Sequence, residues 1–274
     1  MKTLEEKFTI LKNNIKSMDS LLVAFSGGVD STLLLKVAHD ILGDKVAALT
    51  VEAEIHPSCE IKEAKELAQQ MDVKHILVSA DILQNKDFVR NDKMRCYYCK
   101  YDIFSDLKEL AAQKGFEEVA DGANYDDFTG DYRPGLKAAE ELGIKSPLKE
   151  ARITKKEVRE LSKRLDLSTW NKPSISCYAT RFPYGDQITS QGLELIAEAE
   201  KYLHQFDLRQ LRVRHHDQHT ARIEVSTDDI EKIMNNRVEI VNNLKELGYT
   251  YITVDLAGYR TGSMNEVLAS DKEE

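Results

Sequence analysis

Val23-Ala-Phe-Ser-Gly-Gly-Val-Asp-Ser-Thr32 decides how the rest of the chain is read. An apolar run from Leu21 to Phe25 ends in a Ser26-Gly27-Gly28 turn, and a helix opens at about Asp30. Glycine lets the backbone come close to a ligand, and a new helix offers unpaired N–H groups with positive dipole character. Ser26, Ser31 and Thr32 add hydroxyl donors, so the stretch reads as an oxyanion cradle. A P-loop of the GxxxxGK[ST] type requires a lysine here, and there is none. The bland alternative is a glycine-rich strand-to-helix turn with no ligand.

Working outward, strand-like and helix-like stretches alternate. Leu21–Phe25 is followed by the helical pattern Ser31–Leu42, strand Val46–Val51, a helix from about Pro57 to Met71 and strand Lys74–Val78. After Cys99 a helix runs through Leu107, Leu110 and Ala111 to strand Glu118–Asp121, and Arg133–Leu142 and Lys155–Leu165 read as two more helices. Strands separated by helices of this length imply βαβ units, hence an α/β fold with a parallel sheet and helices on both faces. Ligands of such sheets bind beyond the carboxyl ends of the strands, where Ser26 and the Asp121-Gly122 turn both fall. From Leu167 to Ile188 the alternation gives way to a loop holding Pro173, Pro183 and Gly185. Beyond it come helix Gln191–Gln205, strands Gln210–Arg214 and Thr220–Val225, helix Asp228–Leu247 and strand Thr250–Leu256, a small C-terminal α+β unit. In its second helix Ile230, Ile233, Val238, Val241 and Leu244 keep helical spacing and are assigned to core. The expected boundary separates 1–186 from 187–274. The charged end, Asp271–Glu274, is expected to fray.

The 274 residues can bury one large core, or one core and a small satellite. No stretch approaches the roughly 20 apolar residues of a membrane span. The first twenty residues read as an amphipathic helix with mixed charges rather than a signal peptide, so no membrane association and a cytoplasmic location are expected. Lys+Arg 38 against Asp+Glu 47 gives a net charge of −9, which argues against a nucleic-acid partner.

The 4 cysteines of a cytoplasmic chain suggest ligands or reactive groups rather than disulfides. Cys96 and Cys99 form a CxxC pair in Arg95-Cys-Tyr-Tyr-Cys-Lys100, and Cys177 stands alone in the long loop. A zinc site wants four N/S ligands, and the remaining thiol, Cys59, falls at a helix start as a bystander. A thioredoxin-like redox pair follows a strand, yet Asn91–Arg95 is polar. The third reading is an iron–sulfur cluster on three thiolates, whose open iron can hold a hydrosulfide.

Between Leu208 and Arg222 lie Arg209, Arg212, Arg214 and Arg222 with three histidines, against one acid, Asp217. Arg212 and Arg214 alternate on a strand and point the same way, and guanidinium forks suit a phosphate. A solvated strand face is the plainer reading. His215 and His216, as strand neighbours, point to opposite faces, so nickel is not expected there.

Taken with Asp121-Gly-Ala-Asn124, Asp131-Tyr-Arg-Pro-Gly-Leu-Lys137, Pro147-Leu148 and Trp170-Asn-Lys-Pro-Ser-Ile-Ser-Cys-Tyr-Ala-Thr-Arg-Phe-Pro-Tyr-Gly185, the cradle resembles the PP-loop of N-type ATP pyrophosphatases. Within that superfamily the chain resembles the LarE family of ATP-dependent sulfur transferases over nearly its whole length. The resemblance implies that ATP adenylates a carboxylate of pyridinium-3,5-dicarboxylate mononucleotide. Sulfur then displaces AMP to leave a thiocarboxylate, a step in nickel-pincer nucleotide synthesis. It implies ATP and pyrophosphate at Ser26, Gly27, Gly28, Asp30, Ser31, Thr32 and Gly122, with Asp30 supporting Mg²⁺ or orienting the loop. Asp30 could equally be a first-turn carboxylate that stabilises its helix. Cys177 is implied either as a sacrificial sulfur donor or, with Cys96 and Cys99, as a ligand of a [4Fe–4S] cluster that relays sulfide. Arg181 is a candidate to face the substrate and would otherwise lie on the surface. Arg212 or Arg214 with Arg260 would grip the substrate's 5′-phosphate. A homo-oligomer is implied, and the sulfide donor is open.

Three other functions compete. A tRNA thiolation enzyme also pairs a PP-loop with cysteines, but calls for a basic RNA surface that a net charge of −9 disfavours. Amidation would leave three cysteines without a purpose. A nucleotide-binding module would not explain why cradle, thiols and arginines coexist.

Overall fold

The structure is a computed structural model that describes residues 2–129 and 133–266. Asp131 and Tyr132 of the Asp131–Lys137 motif and the Asp271–Glu274 tail therefore lie outside the described residues. The chain divides into two compact units, Met1–Ile82 with Met94–Ile175, and Leu83–Lys93 with Ser176–Glu274.

In the first unit the strands are β1 (Leu21–Ala24), β2 (Val46–Glu52), β3 (Lys74–Ser79) and β4 (Glu118–Ala120). They form one sheet in the order β3-β2-β1-β4, with every pairing parallel. Its helices are α1 (Leu4–Lys16), α2 (Val29–Leu42), α3 (Ser58–Gln70), α4 (Arg95–Lys114), α5 (Pro134–Glu141) and α6 (Lys155–Arg164), with single turns between some of them. Because strand side chains alternate, Leu21 and Val23 enter one core with Leu11, Ile15, Leu33, Leu34, Val158 and Leu161 of α1, α2 and α6. Leu22 enters the opposite core with Phe104, Leu107 and Ala111 of α4 and Ala139 of α5. Helices thus cover both faces, as the alternation predicts. β1 lies between β2 and β4, so the strand order reverses beside its carboxyl end, which is where a crevice opens in such sheets.

One helix begins earlier than expected. The Tyr97 and Tyr98 N–H groups donate to the Met94 carbonyl at 2.8 and 3.2 Å, so Cys96 and Cys99 lie inside the first turns of α4 rather than ahead of it. The apolar periodicity that marks α4 in sequence starts only after them.

The second unit holds helices α7 (Ser190–Leu203), α8 (Ile230–Asn235) and α9 (Arg237–Leu247) and a sheet ordered β5-β6-β7. β5 (Leu211–His216) and β6 (Thr220–Val225) are antiparallel, and β7 (Tyr251–Val254) runs parallel to β6. Segment Leu83–Lys93 belongs here through Asn91, whose Nδ2 donates to the Pro183 and Asp186 carbonyls at 2.6 and 2.9 Å. The single helix expected over Asp228–Leu247 is two. Asn236 leaves helical geometry at φ −102°, ψ 12°, and its side chain donates to the Lys232 carbonyl at 2.8 Å. The buried stripe nonetheless runs on through Ile233, Ile240 and Leu244 at i, i+7 and i+11, and Val238, five residues after Ile233, falls off it. Ile240 and Leu244 are buried, while Val238, assigned to core from its spacing, is 66 % exposed.

Candidate active site

The cradle is closed upon itself by its two serines. Ser26 N–H donates to Ser31 Oγ at 3.3 Å, and Gly28 N–H donates to Ser26 Oγ at 3.3 Å. Ser31 Oγ donates to the Gly28 carbonyl at 3.2 Å, so the proton in the 3.2 Å contact between the two hydroxyls is Ser26's. Gly27 takes φ +69°, a left-handed conformation, and a Cβ there would stand 3.2 Å from Cα and Cβ of Ala64 in α3. Across the switch point, a Cβ on Gly122 would stand 2.8 Å from the Ser31 backbone nitrogen. Only glycine lets the turn after β4 lie this close to the first turn of α2, whose N–H groups have no intrahelical acceptor.

Asp30 is held from two sides. Asn124 Nδ2 donates to one carboxylate oxygen at 3.0 Å, and the Lys155 ammonium at the start of α6 is ion-paired with the other. Asp121, 5 % exposed, accepts from Ser146 Oγ at 2.8 Å and from Ala123 N–H at 3.2 Å through Oδ1. Its Oδ2 is buried with no hydrogen-bond partner among the described residues, and so is Thr32 Oγ1. Two orphaned buried oxygens beside a loop of N–H and O–H donors fit a ligand that both accepts and donates, as a nucleotide does.

Cys96 and Cys99 stand one helical turn apart on one side of α4. α5 seats against that turn through Gly135, where a Cβ would strike Lys100 Cδ at 2.7 Å and the Cys96 carbonyl at 3.2 Å. Tyr97 donates to Glu141 of α5 at 2.6 Å, which pushes its hydroxyl up to about 12. Cys59 lies in the first turn of α3, as expected; partial desolvation and Glu60 push its thiol up, so it is kept protonated.

Cys177 belongs to the second unit. Its carbonyl accepts from Thr180 N–H at 3.1 Å, Thr180 Oγ1 at 2.8 Å and Arg181 Nη1 at 3.1 Å, which fixes the backbone that carries the thiol. Arg181 is not on the surface. It is fully buried and donates to both carboxylate oxygens of Glu200 at 2.9 Å. Nη1 also reaches the Ser176 carbonyl and hydroxyl at 2.9 and 2.8 Å.

Arg212 and Arg214 share a side of β5, as their spacing predicts, but that side is not solvated: they are 6 % and 5 % exposed. Arg214 donates to Glu224 at 2.6 Å, to the Thr180 carbonyl at 2.9 Å and to Ser263 Oγ at 3.1 Å. Arg212 donates to the Leu211 carbonyl at 2.6 Å and stacks over Tyr259 at 5.3 Å. Burial first, then the Arg181 charge, lowers its pKa. Arg222 donates to the other Glu224 oxygen at 3.1 Å. Arg181, Arg212, Arg214 and Arg222 thus lie among three carboxylates, buried Glu200 and Glu224 and the Asp255 that Arg222 reaches at 3.9 Å, an excess of positive charge that an anion would relieve. Arg260 joins the edge of this set through Asp255, which lies 3.7 Å from it and 3.9 Å from Arg222, and it is also paired with Glu266 at 3.2 Å. His215 is buried against the rings of Phe182 and Tyr249, and burial, then His216 and His219, lowers it to about 4.

Glu200 and Glu224 escaped the sequence reading. The first had a signal: it occupies a core position of α7 between Leu193, Ile196 and Leu203. A carboxylate in an apolar stripe implies a buried cation.

A parallel sheet with a lysine-free Ser-Gly-Gly cradle at its switch point defines a PP-loop protein. The family model described as queuosine biosynthesis protein QueC matches residues 20–91. The chain is 41% identical over 268 residues to an uncharacterised protein of Synechocystis sp., covering 97% of this chain and 99% of that one. It is 38% identical over 271 residues to pyridinium-3,5-bisthiocarboxylic acid mononucleotide synthase of Lactiplantibacillus plantarum, covering 98% and 97%. A third relative, an uncharacterised protein of Methanocaldococcus jannaschii, is 30% identical over 259 residues, covering 93% and 98%. The chain belongs to the LarE family of PP-loop, ATP-utilising sulfur transferases. Among the described residues no helix is long and apolar enough to cross a membrane.

Proposed function

We propose that this chain adenylates a carboxylate of pyridinium-3,5-dicarboxylate mononucleotide with ATP and converts it to a thiocarboxylate. The reading is carried by the close approach of Gly122 to Ser31, which turns a glycine-rich loop into a two-sided cradle at the switch point. A substrate carboxylate oxygen attacks the α-phosphorus of ATP and pyrophosphate leaves, its developing charge met by the N–H and hydroxyl donors of Ser26, Gly27, Gly28, Ser31 and Thr32. A carboxylate is a poor electrophile, and acyl-AMP supplies the missing leaving group. Hydrosulfide then adds to the acyl carbon, AMP departs with the C–O electron pair, and a thiocarboxylate and a proton remain. Asp30 offers the hard oxygen donor a magnesium ion takes, and such an ion would screen the triphosphate. Arg212, Arg214 and Arg260 are the groups for the 5′-phosphate, and the burial of the first two among like charges supports this.

For sulfur delivery we infer a cluster on Cys96, Cys99 and Cys177. Cys96 and Cys99 on one side of α4 suit two of its ligands, but among the described residues no three His, Cys, Asp or Glu side chains form a group able to hold a metal. Were those thiolates to hold a [4Fe–4S] cluster, it would supply an open iron suited to hydrosulfide. The anchored backbone of Cys177 supports a second route: its thiolate displaces AMP to form a thioester, and loss of the Cα proton with cleavage of the Cβ–S bond then releases the thiocarboxylate and leaves dehydroalanine. Iron, zinc and acid-labile sulfide counted in protein isolated without oxygen decide between them. About four irons per chain, lost in Cys96→Ala, Cys99→Ala and Cys177→Ala alike, supports the cluster. A metal-free chain that becomes lighter by one H₂S after reaction with ATP and substrate supports sacrifice of Cys177.

A further inference from the structure

The cradle has no lysine of its own, yet one reaches it from far along the chain. Lys172 follows the helical turn Ser168–Asn171, and its side chain is 11% exposed. Its three ammonium protons are all directed. Nζ lies 3.3 Å from the Gly27 carbonyl, 3.0 Å from Glu60 Oε2 and 2.9 Å from Glu63 Oε2, the last two on α3. The loop itself is pinned by Arg159, which donates to the Trp170 and Lys172 carbonyls at 2.9 and 2.8 Å.

Two features of this arrangement are unlike a purely structural ion pair. One ammonium is shared by two carboxylates, so the group carries a net negative charge at the edge of a loop built from anion-binding donors. The third contact is to the carbonyl of Gly27, the residue whose left-handed conformation shapes the cradle. An anion entering the cradle meets the acids unless the ammonium turns toward it; a compact charge on a flexible four-carbon stem can make that turn without moving the backbone. Lys155, the other lysine at the cradle, is committed to Asp30.

We propose that Lys172 is a ligand of the pyrophosphate moiety of ATP, parked on Glu60 and Glu63 until the phosphates arrive, and that the two glutamates hold ATP affinity down in exchange. The proposal rests on the ATP-dependent reading above and deepens it. A charge-assisted hydrogen bond to phosphate predicts that Lys172→Met weakens binding of MgATP and of magnesium pyrophosphate by about 10- to 100-fold. Removing the competing acids predicts the opposite: Glu60→Gln with Glu63→Gln tightens both by roughly threefold to tenfold.

Isothermal titration of the full chain with MgATP and with magnesium pyrophosphate tests this without turnover. Opposite signs in the two variants support the proposal. A lysine that only ties its loop to α3 predicts weaker binding in both, and that result, or an unchanged Lys172→Met, overturns it while wild-type binding leaves the ATP reading standing. A wild type that binds neither probe overturns both. Should Lys172→Met fail to fold, Lys172→Arg and the glutamine pair decide: tightening by the pair with near-wild-type binding in Lys172→Arg supports, and weakening by the pair overturns.

Discussion

The two units handle negative charge in contrasting ways. The first gathers weak donors in a half-open cradle: backbone N–H groups, the hydroxyls of exposed Ser26 and buried Ser31, and a helix N-terminus, with its lysines tied to Asp30, Glu60 and Glu63. The second buries strong ones, with Arg181, Arg212 and Arg214 each less than a tenth exposed and balanced in part by Glu200 and Glu224. A cradle of neutral donors, none of them a buried charge, can admit and release a large leaving group such as pyrophosphate. Desolvated arginines suit a group that must be recognised and held. The second arrangement stakes stability on the same side chains that are proposed to bind; the first does not.

The largest expected effect follows from that difference. Arg181→Met leaves Glu200 charged and buried without its bidentate partner, and should cost about 3–5 kcal/mol of unfolding free energy. Urea denaturation measures it. Adding Glu200→Leu should recover only part, because Glu200 also accepts the Val213 N–H at 2.9 Å, which would then be orphaned. Full recovery in the double variant would mean that the second unit is not built around its charges.

In the first unit the matching test is steric. Gly122→Ala sets a methyl group 2.8 Å from the Ser31 nitrogen and 3.0 Å from its Cα, both backbone atoms. Overpacking of this kind costs about 1–3 kcal/mol. The loss of MgATP affinity should be larger in proportion, above roughly tenfold, since the displaced atoms are the donors themselves. Gly27→Ala should do less, because the strain of φ +69° is about 1 kcal/mol and its 3.2 Å contacts are to one small side chain and its Cα. Equal affinity losses in the two variants would place the binding surface on the Gly27 side alone.

The contrast also explains what could be read from sequence. The cradle is local: ten consecutive residues carry its strand, turn and helix start, and the hydropathy alternation carried the parallel sheet around it. Val238 failed because it sits at the margin of the helical stripe, five residues after Ile233, and Ile240, which the spacing also allows, takes the core position instead. The partners of Arg181 and Arg214 come from α7, β6 and the Ser263 turn, and Arg212 stacks over Tyr259. No spacing rule joins them, so those arginines read as a solvated strand face or a surface residue when they are a buried network. Segment Leu83–Lys93 is packed into the second unit by Asn91, a residue without any distinguishing pattern in the chain.

Burial in the second unit should also appear in its response to pH. His215 falls from 6.5 to about 4 on folding, chiefly through desolvation. Between those values the unfolded chain binds a proton that the folded chain refuses, so stability rises with pH across the window and is lost as pH falls from 6.5 toward 4. The loss from this group is of the order of 2 kcal/mol. Thermal midpoints of the wild type and of His215→Gln, taken at half-unit steps from pH 7 to pH 4, should converge toward the acid end. Parallel curves would show that the imidazole is wetter than its place between Phe182 and Tyr249 implies.

The smallest effect sharpens the claim that the cradle separates binding from stability. α6 begins with a capping box in which Thr154 Oγ1 accepts from Glu157 N–H at 3.3 Å and Glu157 accepts from Thr154 N–H at 2.8 Å. The next residue is Lys155, on Asp30. Glu157 is held independently by Lys7 at 2.8 Å from each oxygen, so half of the box survives without the hydroxyl. Thr154→Ala should therefore cost only about 0.5–1 kcal/mol, the low end for a lost cap. MgATP affinity should move by less than about twofold, because the backbone of α6 and with it the reach of Lys155 to Asp30 stays in place. A stability loss of that size accompanied by a tenfold change in affinity would mean that the charge on Asp30 is set by the cap, and the first unit would then couple folding to binding as tightly as the second.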